Sequence, residues 1–262
     1  MKNIYFASDF HLGTDGRHDS RTRERLIVRW LDHIAPKAEA LYLLGDVFDY
    51  WFEYGEVVPK GFVRLLGRLA QLSDEGLPIY FFTGNHDMWM FRYFEEELGI
   101  PTYRQPLIRE LGGKRFFLGH GDGLGPGDRG YKLIKRIFAN PTCQWLFARI
   151  HPNTGLRLMR FFSGSSRNAQ PTMTGFLGPE REWLIQYCQR KLQQVHIDYF
   201  VFGHRHLPID YLLANGHSRY INLGDWLYHY SYAVFDGQDM AIRFWRQDEG
   251  RVYGKSLWVV QP

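Results

Sequence analysis

The chain has 262 residues, 45% of them hydrophobic and 17% aromatic, which is enough apolar surface to bury a full core. Its formal net charge of +4 is only mildly basic: it suits an anionic substrate and excludes the broad cationic excess of a nucleic-acid coat. Cys143 and Cys188 share no metal-ribbon spacing, no run nears the roughly 20 apolar residues of a membrane span, and residues 4–7 are too short an apolar run for a signal peptide, so a reduced, cytoplasmic setting is expected.

In chain order, residues 4–7, 41–44, 79–82 and 116–118 read as short buried strands, while 21–34, 61–72 and 91–98 carry apolar residues at helical spacing. This alternation predicts an α/β sheet covered by helices. After Gly121 the pattern becomes basic, aromatic and helical, at 131–138 and 144–162, and reads as a helical insert of about 125–175 within a single domain spanning 1–262. Residues 163–171 read as a polar loop, 179–194 as a helix and 199–202 as a strand returning to the sheet. From 209 to 260 short strands alternate with turns at Asn215-Gly216, Asp236-Gly237 and Glu249-Gly250, predicting a β-rich second layer.

Five motifs each follow a predicted strand: Asp9-Phe10-His11, Gly45-Asp46-Val47-Phe48-Asp49, Gly84-Asn85-His86-Asp87, Gly119-His120-Gly121-Asp122 and Gly203-His204-Arg205-His206. Loops leaving the carboxyl ends of strands line the ligand crevice of an α/β sheet, so these residues are expected to meet. Carboxylate oxygen, imidazole nitrogen and amide oxygen are ligands that divalent cations accept, and one carboxylate can bridge two of them. Asp9 and His11, or His204 and His206, reach one site together if the chain turns there, and glycine lets backbone pass close by. Singly each motif is a turn or helix cap, and Asp49 and Asp87 read as loop and cap residues. The ordered set is what carries the metal reading.

That set resembles the calcineurin-like metallophosphoesterases, with their D-x-H, G-D-x-x-D, G-N-H-D/E, G-H and G-H-x-H pattern, over residues 9–206. The resemblance implies a β-sandwich of two sheets flanked by helices, four layers in all. It implies that Asp9, His11, Asp46 and His206 bind one metal and that Asp46, Asn85, His120 and His204 bind a second. Two such cations lower the pKa of a water between them and neutralise phosphoryl oxygens for in-line attack on phosphorus. His86 is then not a ligand but the catalytic residue beside Asn85, stabilising the transition state or protonating the leaving oxygen, with Asp87 orienting it. Resemblance and oxygen-rich ligation lean towards manganese.

A closer resemblance is to the UDP-2,3-diacylglucosamine diphosphatases of lipid A synthesis, through Ser8-Asp9-Phe10-His11-Leu12-Gly13, Leu44-Gly45-Asp46-Val47-Phe48-Asp49-Tyr50-Trp51, and His120-Gly121-Asp122-Gly123-Leu124 followed by Asp128 and Tyr131. It implies hydrolysis at the α-phosphate to UMP and an acylated glucosamine 1-phosphate, with the insert as a lid over the lipid. That family's best-known branch has arginine where this chain has His86. Substrate contacts are expected from Asn85, His86, Asp122 and Arg167. Trp145, Leu146, Phe147, Ile150, Met159, Phe161 and Phe162 of the insert, beside Lys132, Lys135, Arg136, Arg149, Arg157 and Arg160, suit either acyl chains and an anionic inner-membrane surface or plain packing on the sheet. Leu223-Gly224-Asp225-Trp226 ends a strand and either borders the crevice or, the favoured reading, is an ordinary turn with a packed tryptophan.

Two rival readings use the same residues. A nuclease needs a broad basic track, whereas the cations here concentrate in an aromatic insert, so nucleic acid is not the expected partner; a cyclic or other nucleotide remains an open alternative. A non-catalytic scaffold on this fold is expected to lose a ligand or the histidine, and this chain retains them all.

Overall fold

The computed structural model describes residues 2–125, 129–169, 175–245 and 258–260. Twelve strands in these residues form two six-stranded sheets. The first sheet contains β1 (Asn3–Ala7), β2 (Ala38–Leu44), β3 (Ile79–Phe82), β4 (Thr102–Tyr103), β10 (Ser231–Phe235) and β11 (Met240–Phe244), in the order β11-β10-β1-β2-β3-β4. The second contains β5 (Leu107–Leu111), β6 (Lys114–Leu118), β7 (Tyr199–Phe202), β8 (Pro208–Leu212), β9 (Arg219–Leu223) and β12 (Trp258–Val260), in the order β12-β8-β9-β7-β6-β5.

The sheets stack because their strands are apolar on both faces. In β1, Ile4 and Phe6 point between the sheets, where Phe6 stacks on Tyr42 and Phe116 at centroid distances of 5.2 and 5.8 Å, while Tyr5 and Ala7 point outward to the helices. In β7, Tyr199 and Val201 face the other sheet; Phe200 and Phe202 face α7 (Trp183–Leu192), which buries Leu184, Ile185 and Cys188 against them. The first sheet's outer face is covered by α1 (Ser20–Ile34), α2 (Val63–Asp74) and α3 (Tyr93–Leu98). Helix α1 begins where the Asp19 carboxylate accepts the N–H groups of Arg21 and Thr22, and it buries Ile27, Trp30, Leu31 and Ile34, one stripe at helical spacing. Two sheets flanked by helices is the expected architecture.

β1, β2 and β3 run parallel in one sheet and β6 and β7 run parallel in the other, so the loops carrying the five motifs leave at one edge. The chain between β6 and α7 holds α4 (Arg129–Ala139), α5 (Pro141–Phe147) and α6 (Pro152–Ala169). Asn140 caps α5, and prolines open both α5 and α6, which is why residues 144–162 form two helices with a break at 148–151 and not one.

Three expectations are corrected, and two strands, β4 and β5, are additions. Residues 163–169 are helical, not a loop: they continue α6, and Ser163 at the start of the stretch is tied to Asp49 and His86. The C-terminal segment does not form one second layer. Strands β10 and β11 join the first sheet beside β1, and β8, β9 and β12 join the second. Strands β4 and β5 were not legible, being two residues long and largely solvent-facing respectively. Helix α7 starts at Trp183, after a turn at 179–181. The turns at Asn215-Gly216 and Asp236-Gly237 lie between β8 and β9 and between β10 and β11; Glu249-Gly250 lies outside the described residues. Cys143 and Cys188 are free thiols on helices.

Candidate metal centre

Each motif leaves its strand through a backbone turn. Asp9, His11, Asp46, His204 and His206 have φ of 54°, 44°, 52°, 68° and 51°, the left-handed region that side-chain-bearing residues avoid at a cost of about 1–2 kcal/mol each. Residues two apart share a face of a strand but stand well separated along it; the turns draw Asp9 and His11, and His204 and His206, together at one point. The loops are zipped together: Asp9 N donates to Gly45 O at 3.0 Å, His11 N to Asp46 O at 2.9 Å, and Gly203 N to His120 O at 3.0 Å. Approach is close enough that a Cβ on Gly84 would collide with the Asp46 carboxylate, and one on Gly203 with that of Asp9.

The seven expected ligands form two groups that share Asp46, and His11 belongs also to a third group with Asp49 and His86. Ligand atoms of Asp9, His11, Asp46 and His206 lie within 4.8 Å of one another, as do those of Asp46, His120 and His204. In the first, His11 Nε2 is 3.0 Å from His206 Nε2 and 3.7 Å from both Asp9 Oδ1 and Asp46 Oδ2. In the second, Asn85 Oδ1 lies 3.2 Å from His120 Nε2 and 3.0 Å from His204 Nδ1, and His120 Nε2 is 3.2 Å from Asp46 Oδ2. All seven expected ligands thus converge, with Asp46 where a bridging carboxylate would stand.

The donor set fits divalent cations. Burial opposes charge on the imidazoles, yet Asp49 and Asp9 raise His11 to about 10, and Asp46 raises His120 to about 10. His204, buried and beside His120, falls to about 4. Asp9 and Asp46 stay ionised despite burial because His206 and His120, respectively, face them. A buried cluster of two carboxylates therefore draws positive charge to its centre. The His11 tautomer that donates from Nδ1 to Asp49 Oδ1, 3.2 Å away, leaves the Nε2 lone pair aimed at His206 Nε2, an arrangement that a cation between them satisfies.

Around the ligands is a layer that the sequence did not reveal. Asp49, expected to be a loop residue, is buried: Oδ1 faces His11, Oδ2 accepts the Ser163 hydroxyl at 2.8 Å, and its carbonyl lies 3.0 Å from His86 Nδ1. Ser163 comes from α6 and stands 3.0 Å from the same His86 nitrogen, so the insert reaches the centre. Asp87 does not orient His86. Its carboxylate accepts N–H groups of Gly84 at 2.7 Å, Val47 at 2.9 Å, and Asp46 and Phe48 at 3.3 Å, fixing the loop that carries Asp46. Burial and Asp46 push Asp87 up to about 7 against those donors. Asp225, read as part of a turn, is buried with Oδ2 3.8 Å from His206 Nδ1 and 3.3 Å from His229 Nδ1. Only the G-D-x-x-D spacing could have flagged Asp49; the hydroxyl-rich stretch from Ser163 and the strand end at Asp225 could be read at most as near the crevice, with nothing to pair them with His86 and His206.

His86 sits beside both groups, its ring 4.8 Å from that of His11 and its N–H donating to Asp46 Oδ1 at 2.8 Å. Asp122 is buried and paired with Lys135 Nζ at 2.5 Å. Arg167 lies on α6, but its side chain, like Asp128, is outside the described residues. Within the insert, part of the apolar surface is packed and part is exposed. Phe147 and Met159 pack on Phe52, Tyr54 and Trp89, whereas Trp145, Leu146, Phe161 and Phe162 are 56%, 56%, 68% and 54% exposed.

The sequence profile described as calcineurin-like phosphoesterase matches residues 2–208. The UDP-2,3-diacylglucosamine hydrolase of Porphyromonas gingivalis is 40% identical over 252 residues, covering 91% of this chain and 96% of that one. The protein of the same name from Aeromonas hydrophila is 32% identical over 225 residues, covering 84% and 89%. Among solved structures, the phosphoesterase Yfce of E. coli aligns over 92% of each chain with 18% identity and a TM-score of 0.45.

Proposed function

The chain belongs to the calcineurin-like phosphoesterase family, and from that membership we propose that it hydrolyses the pyrophosphate of UDP-2,3-diacylglucosamine to UMP and 2,3-diacylglucosamine 1-phosphate. The class, a metal-dependent phosphoesterase, follows from the family. The substrate is supported by the names of relatives that match nearly end to end, at 40% identity in one case. The observation that carries the chemistry is the convergence of all seven candidate ligands on two points that share Asp46.

Asp9, His11, Asp46 and His206 would hold one divalent cation and Asp46, Asn85, His120 and His204 the other; the mixed set accepts manganese, iron and zinc alike, and the family resemblance leans to manganese. When bound, such a pair supplies positive charge for the phosphoryl oxygens and acidifies water. Asp49 fixes the tautomer and orientation of His11. His86, held through Nδ1 by the Asp49 carbonyl and Ser163, presents Nε2 to the reacting phosphate; burial disfavours its charged form, so the neutral ring must first take up a proton, and the imidazolium then stabilises developing charge or passes that proton to the leaving oxygen. The polar substrate contacts are Asn85, His86, Asp122 and Arg167.

Helices α5 and α6 serve as a lid whose apolar side chains shelter the acyl chains, and their exposed aromatic residues with Arg149, Arg157 and Arg160 suit an anionic membrane surface. Among the described residues no helix is long and apolar enough to cross a membrane.

The test is hydrolysis of UDP-2,3-diacylglucosamine by manganese-loaded protein, beside Asn85→Ala and a chromogenic phosphodiester. Release of UMP by wild type but not by Asn85→Ala is expected. Turnover of the chromogenic ester alone would retain the phosphoesterase and discard this substrate.

A further inference from the structure

Two surfaces near the centre differ in chemistry. One is the apolar cluster of Phe52, Tyr54, Trp89, Phe147 and Met159. The other is a cleft of about 320 Å³ with His120 in its wall; it shares no lining residue with that cluster but adjoins it, since Arg104 lies over the Phe91 ring at 5.1 Å and Trp89 Nε1 donates to Phe138 O on α4 at 2.7 Å. This volume falls at the lower end of the range of small-molecule sites, about 300–1,000 Å³.

The cleft is cationic. Arg104, Lys132, Lys135 and Arg136 line it, and Asp122, the sole carboxylate among its lining residues, is already taken by Lys135. Lys132 is held in place by its bond to Gly125 O at 2.5 Å, and Arg104 by its bond to Met90 O at 2.9 Å. Thr83 and Gln105 add neutral hydrogen-bonding groups to the same wall. An amide side chain complements the alternating acceptors and donor on the edge of a pyrimidine dione.

The two halves of a substrate cleaved at a phosphate need contacts of different chemistry, and the acylated sugar matches the apolar cluster. We infer that the cleft lined by Thr83, Arg104, Gln105, Lys132 and Arg136 binds the nucleoside 5′-monophosphate half, and this rests on the pyrophosphate hydrolysis proposed above. The cations hold the phosphate beside His120, and Thr83 and Gln105 meet the nucleoside.

Isothermal titration of manganese-loaded protein with UMP, and separately with 2,3-diacylglucosamine 1-phosphate in mixed micelles, tests this. The Lys132→Glu/Arg136→Glu variant is expected to weaken UMP by at least about tenfold, because it replaces two charge-assisted contacts by repulsion. The acylated product should change by no more than about twofold, and Arg149→Glu, a charge on α6's side of the insert outside the cleft, should bind UMP as wild type does. Arg104→Gln and Gln105→Leu, both at exposed positions, keep the test open should the double variant misfold. The assignment is overturned if wild type does not bind UMP, if the variants bind it normally, or if they weaken the acylated product instead. Loss of UMP binding in the variants of a protein that does not cleave UDP-2,3-diacylglucosamine would sustain the cleft and sink only the proposed substrate.

Discussion

Arg23 is fully buried, and its guanidinium makes hydrogen bonds to main-chain carbonyls: Nε to Phe10 O at 2.9 Å, Nη1 to His18 O at 3.1 Å, and Nη2 to His11 O at 2.7 Å and Thr14 O at 2.5 Å. It thereby clamps the loop that follows β1, including the left-handed turn at His11. Arg23→Met keeps the apolar stem and removes all four donors. Hydrogen bonds from charged donors contribute about 1.5–3 kcal/mol each, but these act as a unit and water can reach the outer carbonyls, so a loss of about 3–5 kcal/mol is expected. With a urea slope of about 3 kcal/mol per molar, the unfolding midpoint should fall by about 1–2 M. Because the clamped loop carries Asp9 and His11, manganese affinity measured against a competing chelator should fall about 10–100-fold as well. A stability loss under about 1 kcal/mol together with unchanged manganese affinity would show that the loop holds its shape without the clamp.

Asp49→Asn should leave the fold intact, since only side-chain contacts change, but lower manganese affinity about 10–100-fold in the same chelator titration; unchanged affinity would deny that Asp49 orients His11. His86→Ala should retain the wild-type metal content by elemental analysis and lose about 10²–10⁴ in kcat, and a loss of metal instead would make His86 a ligand. Chelation should abolish hydrolysis, manganese should restore it, and Tm should rise with free manganese because the ion binds the folded centre; an EDTA-insensitive activity would refute the metal reading.

The centre was far more legible than its support. Metal ligands must be of a few residue types and must leave strands at defined points, so Asp9-x-His11 and His204-x-His206 announce themselves in one dimension. Their support has no such restriction. Arg23 serves from α1, Ser163 from α6 and Asp225 from the loop after β9, and each was indistinguishable in sequence from a surface or turn residue. The fold followed the same division. β1, β2, β3 and β7 were found because burial on both faces makes them continuous apolar runs. β5 escaped because its three central residues face solvent, and the end of α6 escaped because serine and glycine have weak helix propensity and the bonds of Ser163 to Asp49 and His86 come from distant segments.

Five of the seven candidate ligands stand in a backbone region that costs about 1–2 kcal/mol per residue, so the loops need compensation that the loops themselves do not contain. Cation and carboxylate divide that task by polarity. Arg23 grips carbonyl groups of the first loop, Asp87 grips N–H groups of the second, Asn222 Nδ2 donates to Gly203 O ahead of His204, and Trp226 N donates to Asp9 O at 3.0 Å. A bound cation adds to the folded state alone, about 2.7 kcal/mol at a hundredfold excess over its dissociation constant. The strain is thus offset partly by the protein and partly by the ion, while the core between the sheets touches neither. Stripping the metal should therefore loosen the loops after β1 and β7 before the sandwich, with amide exchange rising first at His11 and His204 and remaining slow at Phe6 and Val201; uniform acceleration across both sets would place the strain elsewhere.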